Sequence, residues 1–372
     1  MKTKQLLFMA AVFAVTCFAQ ETYAKIWRVN NNATGTYGEN FGGNINYPVF
    51  KELPNAYSSA LVNSGDTIHM EGSASDYVTA TFPYITKKLI IIGAGYFLNE
   101  NPDASNDKLE TRIDGIDFAA GSDSSQLIGV HIIGSHGIRI LSVSNITVKR
   151  CLLDYSITVS SSVSIPFSDI NIVQNFFNNS NPNYINASAV DVGSSFPTNF
   201  VFDNNICQRT LLLSSGSKIY TAYECKNNIF DCPAISGKPS IQMNVGTFQN
   251  NVLKTAAATV VINDTTNLNV SYNISSSSTG QFGSANNNLV VPAINSLFIT
   301  SSSTDGAYQI ADGSQADNTG SDGTDRGAFG GAAVISRYML SGLAAIPVVY
   351  QITTAGVTTS NLQVNIQART IK

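Results

Sequence analysis

One short pattern recurs along the middle of the chain and limits the fold more than any other feature. It runs apolar, any residue, Asn-like, Asn, apolar, apolar, and its clearest copies begin at Phe202, Cys225 and Phe248. Weaker copies begin at Ile91, Leu127, Val148, Ile172 and Val270. Successive starts lie 36, 21, 24, 30, 23, 23 and 22 residues apart. A repeat of this length, built from strand-like pieces, is typical of a solenoid.

The fourth position of the repeat is Asn in five consecutive copies. These residues are Asn175, Asn205, Asn228, Asn251 and Asn273. If the strands stack about 4.8 Å apart, the amides can hydrogen-bond from one turn of the chain to the next and stabilise the stack. Asn also tolerates the left-handed backbone of a tight corner. We therefore predict that this column forms both a ladder and the corner between two strands.

The columns beside the ladder separate an inner face from an outer face. The start of each copy and the position two before it, which includes Phe200 and Tyr223, are mostly apolar and are predicted to face inward. The position one after the start is predicted to face outward and carries few charges. There Asp203 and Lys226 follow each other on successive copies. They are predicted to form an exposed ion pair contributing less than about 1 kcal/mol.

Three further stretches, at 65–72, 88–96 and 325–331, accompany the Asn column. With these features, residues 25–331 resemble the right-handed parallel β-helix proteins of the pectin-lyase-like group. The resemblance implies an all-β fold of that type. It does not imply an activity, because this fold hosts polysaccharide lyases, glycoside hydrolases, adhesins and structural proteins.

The chain divides into four predicted parts: a signal peptide at 1–24, an N-terminal cap at 25–88, the β-helix with its closure at 89–338, and a small β segment at 339–372. Within the cap, we predict a first strand at 26–29, a short helix over 54–62 and a core position for Trp27. In the last part, two strands at 348–352 and 362–366 are predicted to form a hairpin.

The first residues indicate export. Lys2 and Lys4 precede the apolar run 6–15, with cleavage expected after Ala24 or Ala19. We therefore expect a secreted or outer-surface protein, with the periplasm and a lipid anchor at Cys17 as open alternatives. Once the signal is removed, no other run is long and apolar enough to span a membrane.

Charge excludes one class of partner. Of 21 basic and 25 acidic residues, cleavage at 24 removes two and one, which leaves 19 against 24, a balance of −5. A weakly acidic protein lacks the basic surface that binds nucleic acid.

The remaining cysteines and histidines are predicted to be structural. Four cysteines remain after cleavage, and an even number in an exported protein is typical of disulfides. The columns nevertheless indicate that Cys151, Cys207 and Cys225 are buried free thiols. His69 is predicted to lie on a cap strand, His131 in an apolar column and His136 in a Gly/Ser turn.

Candidate chemistry is sparse. The resemblance implies that a lyase would need a basic residue and an anion clamp, and a hydrolase a pair of carboxylates. No carboxylate pair falls in register. Lys149, Arg150 and Asp154 form the nearest candidate catalytic cluster, with a solvated charge patch as the alternative.

Two of the gaps predict loops, near 98–111 and near 178–195. The second loop carries Tyr184 and Asp191, the candidate binding residues, because loops that project from a solenoid often form a binding rim. No cofactor is expected, but a calcium site remains open near the C-terminus, where four carboxylates cluster: Asp312, Asp317, Asp322 and Asp325.

Two functions therefore remain open. The first is a non-catalytic β-helix that binds a polysaccharide or a host or cell-surface glycan, or acts in adhesion or as a scaffold. The alternative is a polysaccharide lyase or glycoside hydrolase that acts in a lateral groove. The sequence does not decide whether the protein is an enzyme.

Overall fold

A computed structural model describes residues 24–78, 81–105, 107–160, 166–179, 188–193, 195–264, 269–277, 281–358 and 361–370. The predicted signal peptide, the lipid-anchor alternative at Cys17 and the candidate binding residue Tyr184 lie outside these residues. In the described part, the protein is all-β with large parallel sheets, and its α-helical content is the single short helix Leu53–Ser58. Short 3-10 helices occur at Glu39–Phe41, Leu98–Glu100, Ile294–Leu297, Gly306–Tyr308, Val334–Ser336 and Leu340–Gly342.

Two parallel sheets account for most of the strands among the described residues. The first, sheet A, has 13 strands: Ile26–Val29, Val49–Phe50, Thr67–Met70, Ile90–Ile92, Gln126–Ile128, Thr147–Lys149, Ser168–Val173, Thr198–Asp203, Leu211–Leu212, Thr221–Lys226, Ile241–Gln249, Val260–Asp264 and Val270–Ser271. The second, sheet B, has 12 strands: Tyr84–Ile85, Arg112–Phe118, His131–Leu141, Leu152–Leu153, Ile157–Ser160, Phe176–Phe177, Val190–Val192, Ile206–Cys207, Ile229–Phe230, Val252–Leu253, Ile274–Ser275 and Leu289–Val290.

The chain passes repeatedly between the two sheets. Thr147–Lys149 lies in sheet A and is followed at once by Leu152–Leu153 in sheet B, and later copies of the repeat do the same. The predicted repeat starts pair in register, Leu127 with Val148, Val148 with Ile172 and Ile172 with Phe202. Each passage through sheet A and sheet B is therefore one rung of a stack, an arrangement compatible with a β-solenoid.

The Asn side chains form a continuous buried ladder along this stack. The Oδ1 of Asn228 accepts hydrogen bonds from the backbone N–H of Asn205 at 2.9 Å and from its Nδ2 at 3.2 Å. The Nδ2 of Asn228 donates in turn to Asn251 Oδ1 and to the Phe202 carbonyl. The same pattern joins Asn175, Asn205, Asn228, Asn251 and Asn273. Asn288, which the repeat pattern does not reach, extends the ladder by one rung.

The corner geometry corrects one detail of the sequence interpretation. The ladder Asn residues do not take up the left-handed backbone. The residue before each of them does, with φ of 54° at Asn204, 52° at Asn227 and 58° at Asn250. Because this residue turns the chain, the ladder side chain points into the stack while its neighbour points outward.

Alternating apolar residues fill the space between the sheets. Phe202, Phe230 and Phe248 stack along the axis with ring centroids 6.3 and 6.2 Å apart. All four cysteines of the described chain are free and buried, which confirms the prediction for Cys151, Cys207 and Cys225 and adds Cys232. Tyr223 departs from its predicted inward position: its neighbour Ala222 is buried instead, and Tyr223 is 55% exposed.

Part of the C-terminal third packs on the outside of the stack. We call residues 291–346 the return segment, because they come back along the outside of sheet B from Ile274 as far as Leu152 and Tyr96. Tyr308 and Tyr338 from this segment pack with outward-facing Phe176 in a second apolar cluster. The stack contributes an outward column of apolar residues to this cluster: Tyr96, Leu152, Phe176, Ile206, Ile229, Val252 and Ile274.

The corner residues fasten the return segment by its backbone. Arg150 Nη1 donates to the Leu343 carbonyl at 2.8 Å, and Gln174 Nε2 donates to the Ile335 carbonyl at 2.8 Å. Asn204 Nδ2 donates to the carbonyls of Ala328 and Gly330 at 2.9 and 2.8 Å. The left-handed corners therefore aim polar side chains at a buried irregular chain, whose carbonyls would otherwise lack partners.

The N-terminal cap and the C-terminal hairpin are close to the sequence prediction. In the cap, Trp27 is 2% exposed and its Nε1 donates to Asp66 Oδ2 at 2.8 Å, which confirms its core position. The helix is shorter than predicted because Ser59 is extended, and Leu61, which lies beyond the end of the helix, is 41% exposed. At the C-terminus, Pro347–Thr358 and Asn361–Thr370 form an antiparallel hairpin with longer strands than the sequence indicates.

Candidate functional site

Five side chains lie in one register row across five successive strands of sheet B. Tyr84 pairs with Asp117, Asp117 with Arg139, Arg139 with Thr158, and Thr158 with Asp191. Four steps of about 4.8 Å give a row roughly 19 Å long. We call these five residues the lateral row.

The lateral row faces away from the core. Ile116 and Phe118, on either side of Asp117, are buried in the main apolar cluster, so the residue between them points to the opposite face. Tyr84 is 49% exposed and Asp191 is also exposed. The row therefore presents an aromatic ring, a guanidinium, a hydroxyl and the carboxylate of Asp191 along the stack, while the carboxylate of Asp117 is itself buried beneath Arg139 and His136.

Asp117 organises the middle of the lateral row. Its Oδ1 accepts hydrogen bonds from Arg139 Nε at 2.7 Å and from His136 Nε2 at 2.6 Å, and its Oδ2 pairs with Arg139 Nη2. A Cβ added at Gly115 would stand 2.8 Å from the Cβ and Cδ2 of His136 and 2.6 Å from the Gly137 carbonyl oxygen, closer than atoms can pack. Gly115 therefore leaves the room that lets the imidazole reach Asp117.

The Tyr84 end of the lateral row is aromatic. Phe82 stacks on His136 with ring centroids 3.6 Å apart and an angle of 13° between the planes, and Phe82 is still 38% exposed. Such rings offer a flat apolar surface, while the carboxylate, guanidinium and hydroxyl groups offer directed hydrogen bonds. A sugar ring needs both, since it has an apolar C–H face and a rim of hydroxyls.

The predicted catalytic residues do not form one site. Lys149 points outward from sheet A, between Ile128 and Val173 in the register of that sheet. Arg150 is buried at the corner, where it holds the return segment. Asp154 follows a strand of sheet B. Burial, and then the charge of Arg150, lower the pKa of Lys149, but no acid or hydroxyl flanks it in register.

His131 is at the centre of a separate charged cluster. Its Nδ1 lies 3.0 Å from Glu110 Oε2 and its Nε2 lies 3.2 Å from Asp154 Oδ2. Although burial lowers the pKa of His131, the hydrogen bonds to Asp154 and Glu110 raise it overall. The positive charge of His131 is thus compensated by a carboxylate on each side of the imidazole. The histidine pairs in register with Leu152, and so lies in the same column as the apolar residues under the return segment.

This cluster predicts a pH-dependent contribution to stability. Because the folded-state pKa of His131 is raised, its contribution is fully present below the unfolded pKa of about 6.5 and is lost as the pH rises through the folded pKa. We expect His131→Gln to lower the thermal midpoint more at pH 6 than at pH 9. Burial lowers the pKa of His69, so His69→Gln should change the midpoint with the opposite pH trend. Parallel trends for the two variants would contradict this assignment.

The predicted ion pair between Asp203 and Lys226 is wrong. Lys226 Nζ binds Glu224 Oε1 at 2.9 Å, two residues away on the same strand. Asp203 Oδ1 instead accepts the backbone N–H of Lys226 at 2.7 Å. Burial, followed by the neighbouring Glu224 carboxylate, raises the pKa of Asp203 to about 8. The sequence missed this because Glu224 lies outside the column in which Asp203 and Lys226 align.

The structure describes only some of the candidate binding residues, and it does not gather the candidate calcium ligands into a metal site. Asp191 lies in the lateral row, while Tyr184 lies outside the described residues. Of the four aspartates near the C-terminus, Asp317 and Asp325 accept backbone hydrogen bonds from Gly313 and Asn318. Within the part of the chain that the structure describes, no three His, Cys, Asp or Glu residues cluster closely enough to hold a metal ion.

Of the lateral row, the sequence predicted only Asp191 as a candidate site residue, although an alternating pattern marks four of the five residues. An apolar–polar–apolar triplet surrounds each of its last four residues: Ile116-Asp117-Phe118, Ile138-Arg139-Ile140, Ile157-Thr158-Val159 and Val190-Asp191-Val192. This alternation is typical of strands with one buried face. The triplets recur beside the Asn repeat and would have predicted a further outward column.

Comparisons with known proteins do not extend these observations. No family model, curated protein or solved structure matches the chain. Among the described residues, none of the helices has the length and apolar character needed to cross a membrane.

Proposed function

We propose that the protein is an exported, right-handed parallel β-helix of the pectin-lyase-like type that binds a glycan along the lateral row. The observation that carries the proposal is the in-register alignment of Tyr84, Asp117, Arg139, Thr158 and Asp191 on one outward face. A linear polysaccharide lying parallel to the stack would meet these groups in turn. The proposed setting is the outer cell surface or the surrounding medium, where such a protein would serve in adhesion or as a scaffold.

The charges of the lateral row favour an uncharged glycan. Asp117 neutralises Arg139 through paired hydrogen bonds, so Asp191 leaves the row with a net negative charge. A polyuronate would be repelled by that charge and would find no free cation in the row. Neutral sugars need only hydrogen bonds and an aromatic surface. No cofactor is required for this binding, so we expect it to survive a metal chelator.

The first test compares two tyrosines. A neutral-glycan array should identify a ligand for the full mature chain, and Tyr84→Ala should weaken its binding at least about tenfold, the loss of roughly 1.4 kcal/mol expected when an aromatic contact is removed. Tyr223→Ala is the matched control, because Tyr223 is 55% exposed on sheet A and Tyr84 is 49% exposed on sheet B. Equal losses for both variants, or no ligand on the array, would contradict the proposal. Loss of binding in a chelator would favour calcium at the C-terminal aspartates.

A second candidate, a polysaccharide lyase or hydrolase, rests on Asp203. This carboxyl group has a raised pKa beside Glu224 and Lys226, which is the type of perturbation found at catalytic sites. However, burial is the largest cause of that rise, and Asp203 Oδ1 already accepts the backbone N–H of Lys226. These observations favour a structural role for Asp203, and therefore binding over hydrolysis.

The enzyme candidate has its own test. We expect no absorbance from unsaturated uronates when the protein is incubated with acidic polysaccharides. If product does form, and Lys226→Ala abolishes it while leaving the thermal midpoint unchanged, the protein is an enzyme and the binding proposal fails as its main function.

A further inference from the structure

A pocket of about 590 Å³ lies at the N-terminal end of sheet A, away from the lateral row. Its floor is the outward side of the first rungs, with His69 and Glu71 from the cap. Its wall is the end of the return segment and the start of the C-terminal hairpin, with Leu343 and Ile352. A volume of this size is that of a small-molecule site.

Most of the pocket wall is apolar. Phe41 and Leu109 line one side, and Leu343, Val349 and Ile352 line the other. Val349 and Ile352 are 38% and 48% exposed, although they belong to a hairpin that has few other contacts to bury them. A ligand with an apolar body would cover these side chains, and the hydrophobic effect would favour its entry.

The two carboxylates in the lining already have hydrogen-bond partners, whereas the histidine does not. Glu71 Oε1 binds Arg28 Nε at 2.5 Å and Glu71 Oε2 accepts Asn30 Nδ2 at 2.8 Å. Asp107 Oδ1 accepts the Ser105 hydroxyl at 2.5 Å. Among the described residues, the His69 imidazole makes no hydrogen bond, although it is partly buried and lines the pocket. His69 is therefore a polar side chain of the pocket that remains available to a ligand.

We propose that this pocket binds a small amphipathic alcohol, with its apolar body against Leu343, Val349 and Ile352 and its hydroxyl on His69. A neutral imidazole has one donor and one acceptor, and a hydroxyl group offers one of each. A carboxylate could only accept and would stand near Glu71 and Asp107. The proposal is independent of the glycan-binding function, since it uses no residue of the lateral row.

Burial supports the neutral form of the histidine. It lowers the pKa of His69, while the carboxylate of Glu71 opposes this and the charge of Arg28 adds to it. Glu71 and Arg28 are paired, so the two charges that face the imidazole from the cap strands largely compensate each other. The hydroxyl-binding form is thus present at neutral pH.

The experiment uses N-phenyl-1-naphthylamine, a neutral dye that fluoresces in apolar sites, with the full mature chain. We expect saturable binding, and we expect 1-octanol to displace the dye at a concentration at least about tenfold lower than octanoate or octylammonium. His69→Phe should abolish the preference for octanol but retain dye binding, whereas His69→Gln, which keeps a donor and an acceptor, should retain the preference.

A matched pair of hairpin variants checks the location. Ile352→Asp places a charge in the pocket wall and should weaken dye binding at least about tenfold. Ile366→Asp places the same charge on the partner strand, at the residue paired with Ile352 but outside the pocket lining, and should leave binding unchanged. The proposal is overturned if the dye does not bind, if both aspartate variants behave alike, or if the three octyl compounds displace the dye equally.

Discussion

Phe176→Ala should release the return segment and lower the free energy of unfolding by about 3–5 kcal/mol, the usual range for truncating a buried Phe. Phe176 is fully buried, and its ring packs edge-on against Phe97 at 5.5 Å and Tyr308 at 5.9 Å. Tyr308 belongs to the return segment, so loss of the Phe176 ring removes a contact that holds this segment against sheet B. We expect limited proteolysis to cut the variant first within residues 291–346, while the sheets stay intact.

Phe177→Ala is the matched control for this experiment. Phe177 is the next residue and is equally buried, but it faces the inner core, where it packs on Phe202 at 5.5 Å. Its loss should cost a similar free energy without selective cleavage of the return segment, because the cavity then opens between the sheets. If both variants are cut at the same sites, or if Phe176→Ala costs less than about 1 kcal/mol, the return segment is not held by this cluster.

Asn228→Leu should destabilise the protein by about 3 kcal/mol. Two buried donors of Asn205, the backbone N–H and Nδ2, lose their acceptor, and the Phe202 carbonyl loses the Nδ2 donor. An unsatisfied buried polar group costs roughly 1–3 kcal/mol, and the leucine methyl groups offset only part of that cost. Chemical denaturation monitored by circular dichroism measures the difference.

Asn263→Leu is the control for the ladder. Asn263 lies on a strand of sheet A but is exposed, and among the described residues its side-chain amide bonds to the Asn244 side chain alone. Such a surface change should alter stability by no more than about 0.5 kcal/mol. A cost for Asn228→Leu as small as that of its control would mean that the ladder amides contribute little to the stack.

The sequence by itself determined how the rungs stack. Each copy of the repeat carries inward apolar residues on both sides of its corner, and the last five copies also carry a ladder Asn, so these features are local and recur from rung to rung. Register follows from them, because a slip by one residue would expose the apolar face of a strand and bury its polar face. The pairing of Leu127, Val148, Ile172 and Phe202 was therefore readable without coordinates.

Only the tertiary structure decided what covers the outside of the stack and which residues share its outer faces. Phe176 and Phe177 look alike in sequence, and nothing local says that the return segment comes back to bury Phe176. The lateral row combines residues spaced 33, 22, 19 and 33 apart from Tyr84 to Asp191, because loops of different length interrupt the rungs. Loop length costs little free energy, so it varies without disturbing the stack, and spacing along the chain does not specify which residues meet on a face.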